Sequence, residues 1–142
     1  MKVIFLDIDG VLNYNGSSFL SEDKIILLRN ILRRTGAKLV LSSSWRIIFY
    51  KPEIVCKEVK LIKNLFIGDL ELYGYLPFDD IDRSKSVEIW LKEHSEIEKF
   101  VIVDDWDINF TKNFPNQFVR TSGFWEKGLT KENCDAIIEK LR

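Results

Sequence analysis

Three short apolar runs stand out along the chain. Residues 1–12 form an almost uninterrupted stretch of β-branched and large side chains, too short to cross a membrane, and read as a strand buried on both faces of a parallel sheet. Lys38–Leu41 is a second such run and 100–103 a third. Between the first two, Ile25, Leu28, Ile31 and Leu32 recur at helical spacing. That pattern predicts a helix over 22–34, with Ser21 as its N-cap and Gly36 as its stop. Strand, loop, helix and strand make a right-handed βαβ unit, so the second strand lies parallel to the first.

Residues 47–82 carry the weakest pattern. Pro52 suits the first turn of a helix through Asn64, ended by Gly68, with Ile54, Val55, Val59, Leu61, Ile62 and Leu65 available for burial. Residues 71–77 read as a short strand or a loop at the rim of a site. Beyond the acidic 79–82, Val87, Trp90, Leu91 and His94 share one face of a helix that Asp82 or Ser84 would cap. Residues 117–120 read as a fifth, edge strand and 121–125 as a loop. Thr130 caps a final helix striped by Cys134, Ile137, Ile138 and Leu141. No repeat, low-complexity tract or linker divides the chain, so residues 1–142 read as a single α/β domain.

Composition narrows the function classes. A net charge of -1 excludes a broad basic face, so any nucleic-acid contact must be local. Cys56 and Cys134 have no metal-ligand spacing and are expected to be buried thiols in a reducing compartment. The single histidine, His94, supports neither a Ser-His-Asp triad nor a zinc site. The N-terminal run is broken by Asp7 and Asp9 and lacks a small-residue cleavage site, so a cytoplasmic protein without membrane association is expected.

The chemistry gathers at strand ends. Asp7 interrupts its apolar run before any turn begins, and a carboxylate there is costly unless a cation or several donors meet it. Asp9 follows on the same side of the strand, and Gly10 permits a sharp turn beyond. The third run delivers Asp104-Asp105-Trp106-Asp107 in the same way. Surface acidity explains Asp107, while Asp104 and Asp105, in a chain that already has Asp7 and Asp9, point to a metal. Ser42-Ser43-Ser44 lie at the carboxyl end of a parallel strand, where ligands bind in open α/β sheets.

Asp7-Ile8-Asp9-Gly10-Val11, a strand ending in Ser42, a base near the start of the helix after Asp82, and Asp104-Asp105 together resemble the four motifs of the haloacid dehalogenase (HAD) superfamily of phosphohydrolases. The resemblance implies a Rossmann-like, three-layer fold with a central, mostly parallel sheet, and a Mg²⁺-dependent phosphatase working through an aspartyl-phosphate. Asp7 would be the nucleophile, and Asp9 the acid and then the base. Asp7, Asp104 and the Asp9 carbonyl would hold Mg²⁺, with Asp105 bound to it directly or one step removed. Ser42, with Ser43 as the alternative, would hold a phosphoryl oxygen. Arg83 or Lys85 would neutralise phosphate, Arg83 having the better register and Lys85 the commoner side chain. The second aspartate, absent from dehalogenases, points to phosphate chemistry.

Arg46 is a further candidate for phosphate, or else a surface salt bridge. Trp45 and Trp106, with Tyr73, Tyr75 and Trp125, are candidate substrate contacts, core packing being the alternative for each. Only about thirty residues separate the first two motifs, near the minimum for a loop and one crossover helix, so no large cap domain is expected. Ser44-Trp45-Arg46 and Trp90-Leu91 carry a closer similarity to small capless HAD domains associated with RNA-repair proteins. A phosphorylated partner such as a polynucleotide end follows from that similarity. The alternatives are a nucleotide or small-metabolite phosphatase, with 47–82 as a partial lid, and a non-catalytic phospho-binding module. The oligomeric state is left open, a monomer being favoured.

Overall fold

Five all-parallel strands, β1 (Lys2–Leu6), β2 (Lys38–Leu41), β3 (Leu72–Tyr75), β4 (Lys99–Asp104) and β5 (Phe118–Arg120), form one sheet in the order β3-β2-β1-β4-β5. The computed structural model describes residues 1–17, 19–51, 53, 57–66, 70–77, 81–123 and 125–142. Helices α1 (Glu22–Thr35), α2 (Lys57–Asn64), α3 (Arg83–Glu93), α4 (Phe110–Asn113) and α5 (Lys131–Lys140) flank the sheet. The fold is α/β and Rossmann-like, and among the described residues no large cap domain interrupts it. Among the described residues no helix is long and apolar enough to cross a membrane.

Strand alternation divides the core into two layers. Ile4, Leu6, Leu39, Leu41, Val101 and Val103 pack with α1 and α5 through Leu28, Ile31, Cys134 and Ile137. Val3, Phe5, Val40 and Ile102 face the other way, onto Val87 and Trp90 of α3 and Phe110 of α4, with the Trp90 ring edge-on to Phe5 at 5.3 Å. The central strands are apolar on both faces because both faces are covered.

The register sets the row of residues on which the site is built. Leu6 pairs with Leu41 on one side and Val103 on the other, which makes Asp7, Ser42 and Asp104 the next row. By alternation this row shares the α3 face with Phe5, Val40 and Ile102. The chain then turns, as the Ile8 carbonyl accepts from the amides of Val11 and Leu12.

Several elements differ from the sequence expectation. The first strand ends at Leu6, and 44–49 winds into a 3-10 turn seeded when the Ser43 hydroxyl accepts from the Trp45 amide. The helix expected from Pro52 is described over Lys57–Asn64, Pro52 and Gly68 lying outside the described residues. Residues 71–77 supply the edge strand β3, and the four-residue α4 was not expected. Ser21 takes the N-cap backbone conformation of α1, but its hydroxyl bonds Asp23 and caps no amide. Asp82 caps α3 by accepting from the Lys85 amide, and Thr130 caps α5 in a reciprocal box with Asn133. Gly36 closes α1 at φ +69°, a left-handed conformation that suits glycine.

Candidate active site

At the carboxyl ends of β1 and β4, Asp7, Asp104 and Asp105 each present a carboxylate oxygen, and these atoms lie within 4.8 Å of one another. Asp7 and Asp104 are buried. Arg83, in the first turn of α3, reaches over them: its Nη1 donates to Asp104 Oδ2 at 2.6 Å and lies 3.4 Å from Asp7 Oδ1. Three carboxylates thus face one guanidinium. Burial, then the neighbouring Asp104 charge, pushes the Asp7 carboxyl well above the ordinary carboxylate range, although Arg83 opposes the shift. Burial also raises Asp104, against Arg83 and the Trp106 amide, which donates to Asp104 Oδ1 at 3.0 Å. Burial disfavours the charge on Arg83, but Asp7 and Asp104 more than offset it and hold its titration above the ordinary value. Such a set of hard oxygen donors in a negative pocket fits a divalent cation.

Asp9 is held differently. Its Oδ2 accepts from the Trp45 indole Nε1 at 3.0 Å, and its Oδ1 from Asn13 Nδ2 at 2.8 Å. The buried Asn13 turns its own Oδ1 back to accept from the Gly10 amide at 2.9 Å. Gly10 stands at φ +82°, and a Cβ built on it would overlap the Asp105 carboxylate. Gly10→Ala is therefore expected to destabilise the fold by about 1–3 kcal/mol through the left-handed backbone alone, and to displace Asp105. A thermal melt without metal and a Mg²⁺ titration would measure the two effects separately.

The two serine candidates separate clearly. Ser42 Oγ is fully enclosed in the row with Asp7 and Asp104 and, among the described residues, is the buried side-chain polar atom with no hydrogen-bond partner. Ser43 Oγ is engaged with the Trp45 amide. At the start of α3 the geometry brings in Arg83 and leaves Lys85 outside, where its Nζ meets Glu88 at 3.4 Å on the exposed face. Positions two apart on a helix do not face the same way.

Arg46, expected at a phosphate or in a surface salt bridge, turns onto the main chain of the loop after β2. It is buried, with Nη1 donating to the Ser42 and Ser43 carbonyls at 2.9 and 2.8 Å and Nε to the Pro77 carbonyl at 3.3 Å. It stitches the loop that carries Trp45. Among the aromatic candidates, Trp106 is 68% exposed beside the carboxylate cluster. Trp45 is half-buried with its indole N–H on Asp9, and Tyr75 stacks on Phe49 at 4.6 Å. Trp125 lies over Gly16, and His94 stacks on Trp90 at 3.6 Å.

Two site residues escape a reading of the sequence. Asn13 directly follows the first apolar run and has no role assigned from the sequence; it is fully buried, and its amide is satisfied by Asp9 and Gly10. Thr121, in a segment read only as loop, donates its hydroxyl to the Gly10 carbonyl at 2.6 Å. Its partner lies 111 positions away, beyond the reach of any local pattern.

No curated protein and no solved structure matches the chain. A family model, described as the HAD domain in Swiss Army Knife RNA repair proteins, matches residues 3–134. That span holds the sheet from Val3 onward, the Asp7–Asp104–Asp105 cluster, the Asp9 clamp and Arg83. The chain belongs to this HAD family.

Proposed function

We propose that the protein is a Mg²⁺-dependent phosphomonoesterase that acts through an aspartyl-phosphate and takes large substrates, polynucleotide ends foremost. One observation carries the reading. Asp7, the unpartnered Ser42 hydroxyl and Asp104 stand in a single row at the carboxyl edge of the sheet, with the Arg83 guanidinium over two of them.

Phosphate esters repel nucleophiles, so catalysis rests on neutralisation and positioning. Asp7, Asp104 and Asp105, with the Asp9 carbonyl, would hold Mg²⁺, which supplies positive charge to the phosphoryl oxygens when bound. Ser42 Oγ offers a hydroxyl to one phosphoryl oxygen and Arg83 its remaining donors to another. An Asp7 oxygen attacks phosphorus, and the ester P–O bond breaks with its electron pair to the leaving oxygen, which takes a proton from Asp9. Asp9 then takes a proton from the water that attacks the aspartyl-phosphate, releasing inorganic phosphate and regenerating the Asp7 carboxylate. Arg83 and the metal favour the ionised nucleophile that burial alone disfavours.

The substrate class rests on the lack of a large cap domain among the described residues and on Trp106, exposed and next in sequence to the carboxylate cluster. The family's occurrence in RNA repair proteins points the same way. Base stacking on an aromatic ring is worth about 1–3 kcal/mol and needs no basic face, in keeping with a net charge of -1.

The test is hydrolysis of an aryl phosphate with Mg²⁺ and with EDTA, beside a 3′-phosphorylated oligonucleotide and a mononucleotide. Turnover that EDTA abolishes, with the highest kcat/KM on the oligonucleotide, is expected. Activity confined to the small substrates would overturn the substrate class. No activity on any of them would favour a phospho-binding module.

A further inference from the structure

Among the described residues Asp7, Asp104 and Asp105 form the carboxylate cluster, and Asp9, two positions after Asp7, is partnered differently. Asp7 and Asp104 meet a guanidinium, and Asp105 faces them across the cluster. Asp9 lies outside that cluster, and each of its oxygens accepts from a neutral N–H, Trp45 Nε1 at 3.0 Å and Asn13 Nδ2 at 2.8 Å. Neither donor gives up its proton at ordinary pH, so both orient the carboxyl without exchanging protons with it. Each carboxylate oxygen has room for a second partner, so the clamp leaves Asp9 free to meet a substrate atom.

The clamp is itself braced from two directions. Asn13 is locked by the Gly10 amide, within the turn that ends β1. Trp45 comes from the loop after β2, 36 positions away from Asp9, and its amide is fixed by Ser43 Oγ while Arg46 ties down the Ser42 and Ser43 carbonyls. Such bracing suits a group that must meet a reacting atom in one direction, since small misplacements of a proton donor are felt strongly in rate.

We propose that Trp45 and Asn13 are positioning residues that aim the Asp9 carboxyl at the departing ester oxygen, so that their effect is felt on leaving groups that need a proton. This rests on the phosphatase reading. An aliphatic alkoxide is a far stronger base than a nitrophenolate, so an alcohol leaves only if a proton is placed on it as the P–O bond breaks, whereas a nitrophenolate leaves unaided. Trp45 therefore acts through Asp9, and its contribution grows with the basicity of the leaving group.

The experiment compares wild type and Trp45→Phe on aryl phosphates from 2,4-dinitrophenyl to phenyl, with Mg²⁺. The readout is kcat/KM, which excludes the later hydrolysis of the aspartyl-phosphate. Trp45→Phe keeps an aromatic ring and removes the N–H donor together with part of the indole, and the Asp9→Asn background separates the two effects. A loss of about tenfold on phenyl phosphate, the scale of one hydrogen bond, is expected with little loss on the dinitrophenyl ester. In an Asp9→Asn background the same substitution should add nothing. An equal loss along the series, or an undiminished loss in the Asp9→Asn background, overturns the proposal and leaves the phosphatase reading standing. A wild-type protein that hydrolyses none of the series overturns both.

Discussion

Asp7→Asn is expected to lower turnover by about 10⁴-fold or more while leaving the fold intact, the scale on which loss of a covalent nucleophile is felt. Asn has nearly the same shape, so β1 and its register are undisturbed, but the amide neither attacks phosphorus nor binds a hard cation well. The variant also reports on electrostatics. In the metal-free protein the Asp7 carboxyl is held above its ordinary 3.8, chiefly by burial and then by Asp104. A carboxyl whose pKa rises on folding binds its proton more tightly in the native state. Its favourable contribution is full below pH 3.8 and is lost as pH rises through the folded value. Metal-free wild type should therefore lose stability relative to Asp7→Asn as pH climbs from 3.8 toward neutrality, with Asp7→Asn at least as stable at pH 7. Mg²⁺ should reverse the order: at a hundredfold excess over Kd it stabilises wild type by about 2.7 kcal/mol, and the variant by much less. Thermal melts of both proteins across pH, with and without Mg²⁺, measure this. A variant that retains turnover would remove Asp7 from the nucleophile role.

Arg83→Ala should be nearly as damaging, and for two separable reasons. It removes the donor that lies 2.6 Å from Asp104 and 3.4 Å from Asp7, taking positive charge from the place where a phosphoryl group would sit. Turnover is expected to fall about 10²–10³-fold, as for other lost stabilisers of transition-state charge. It also leaves two buried carboxylates without a countercharge, which costs roughly 3–5 kcal/mol. Mild acid or Mg²⁺ should restore much of that stability, and Mg²⁺ should not restore the turnover. Lys85→Ala is the control. Its ammonium lies on the exposed face with Glu88, so turnover should stay within about twofold of wild type. If Lys85→Ala is instead the damaging change, α3 does not dock in the orientation described.

The frame was legible because its central strands are buried on both faces, so they must be apolar throughout and announce themselves. Lys38–Leu41 and the run through Val103 were visible on that ground, and a crossover as short as α1 leaves little choice but a parallel neighbour. The docking of Arg83 was partly legible too. It lies four residues before Val87 and seven before Trp90, on the stripe that packs against Phe5, whereas Lys85 shares the outer face with Glu88. The 3-10 turn over 44–49 and the four-residue α4 were not legible. Elements so short have no periodicity of their own, and contacts such as Arg46 with three main-chain carbonyls hold the first of them. The carbonyls that Arg46 meets were not legible, because backbone groups carry no sequence signature.

By itself the sequence determined which carboxylates come to the edge of the sheet and narrowed the serine to Ser42 or Ser43, because strand alternation and parallel register follow from the apolar pattern. Only the tertiary structure decided what surrounds each of them: that Arg83 faces Asp7 and Asp104, that Ser42 Oγ is left without a partner, and that Trp45 and Asn13 clamp Asp9. The physical reason is range. Propensity and periodicity act over a few residues, whereas the hydrogen bonds that orient this site join groups up to 111 positions apart and exist only once the sheet has brought its loops together.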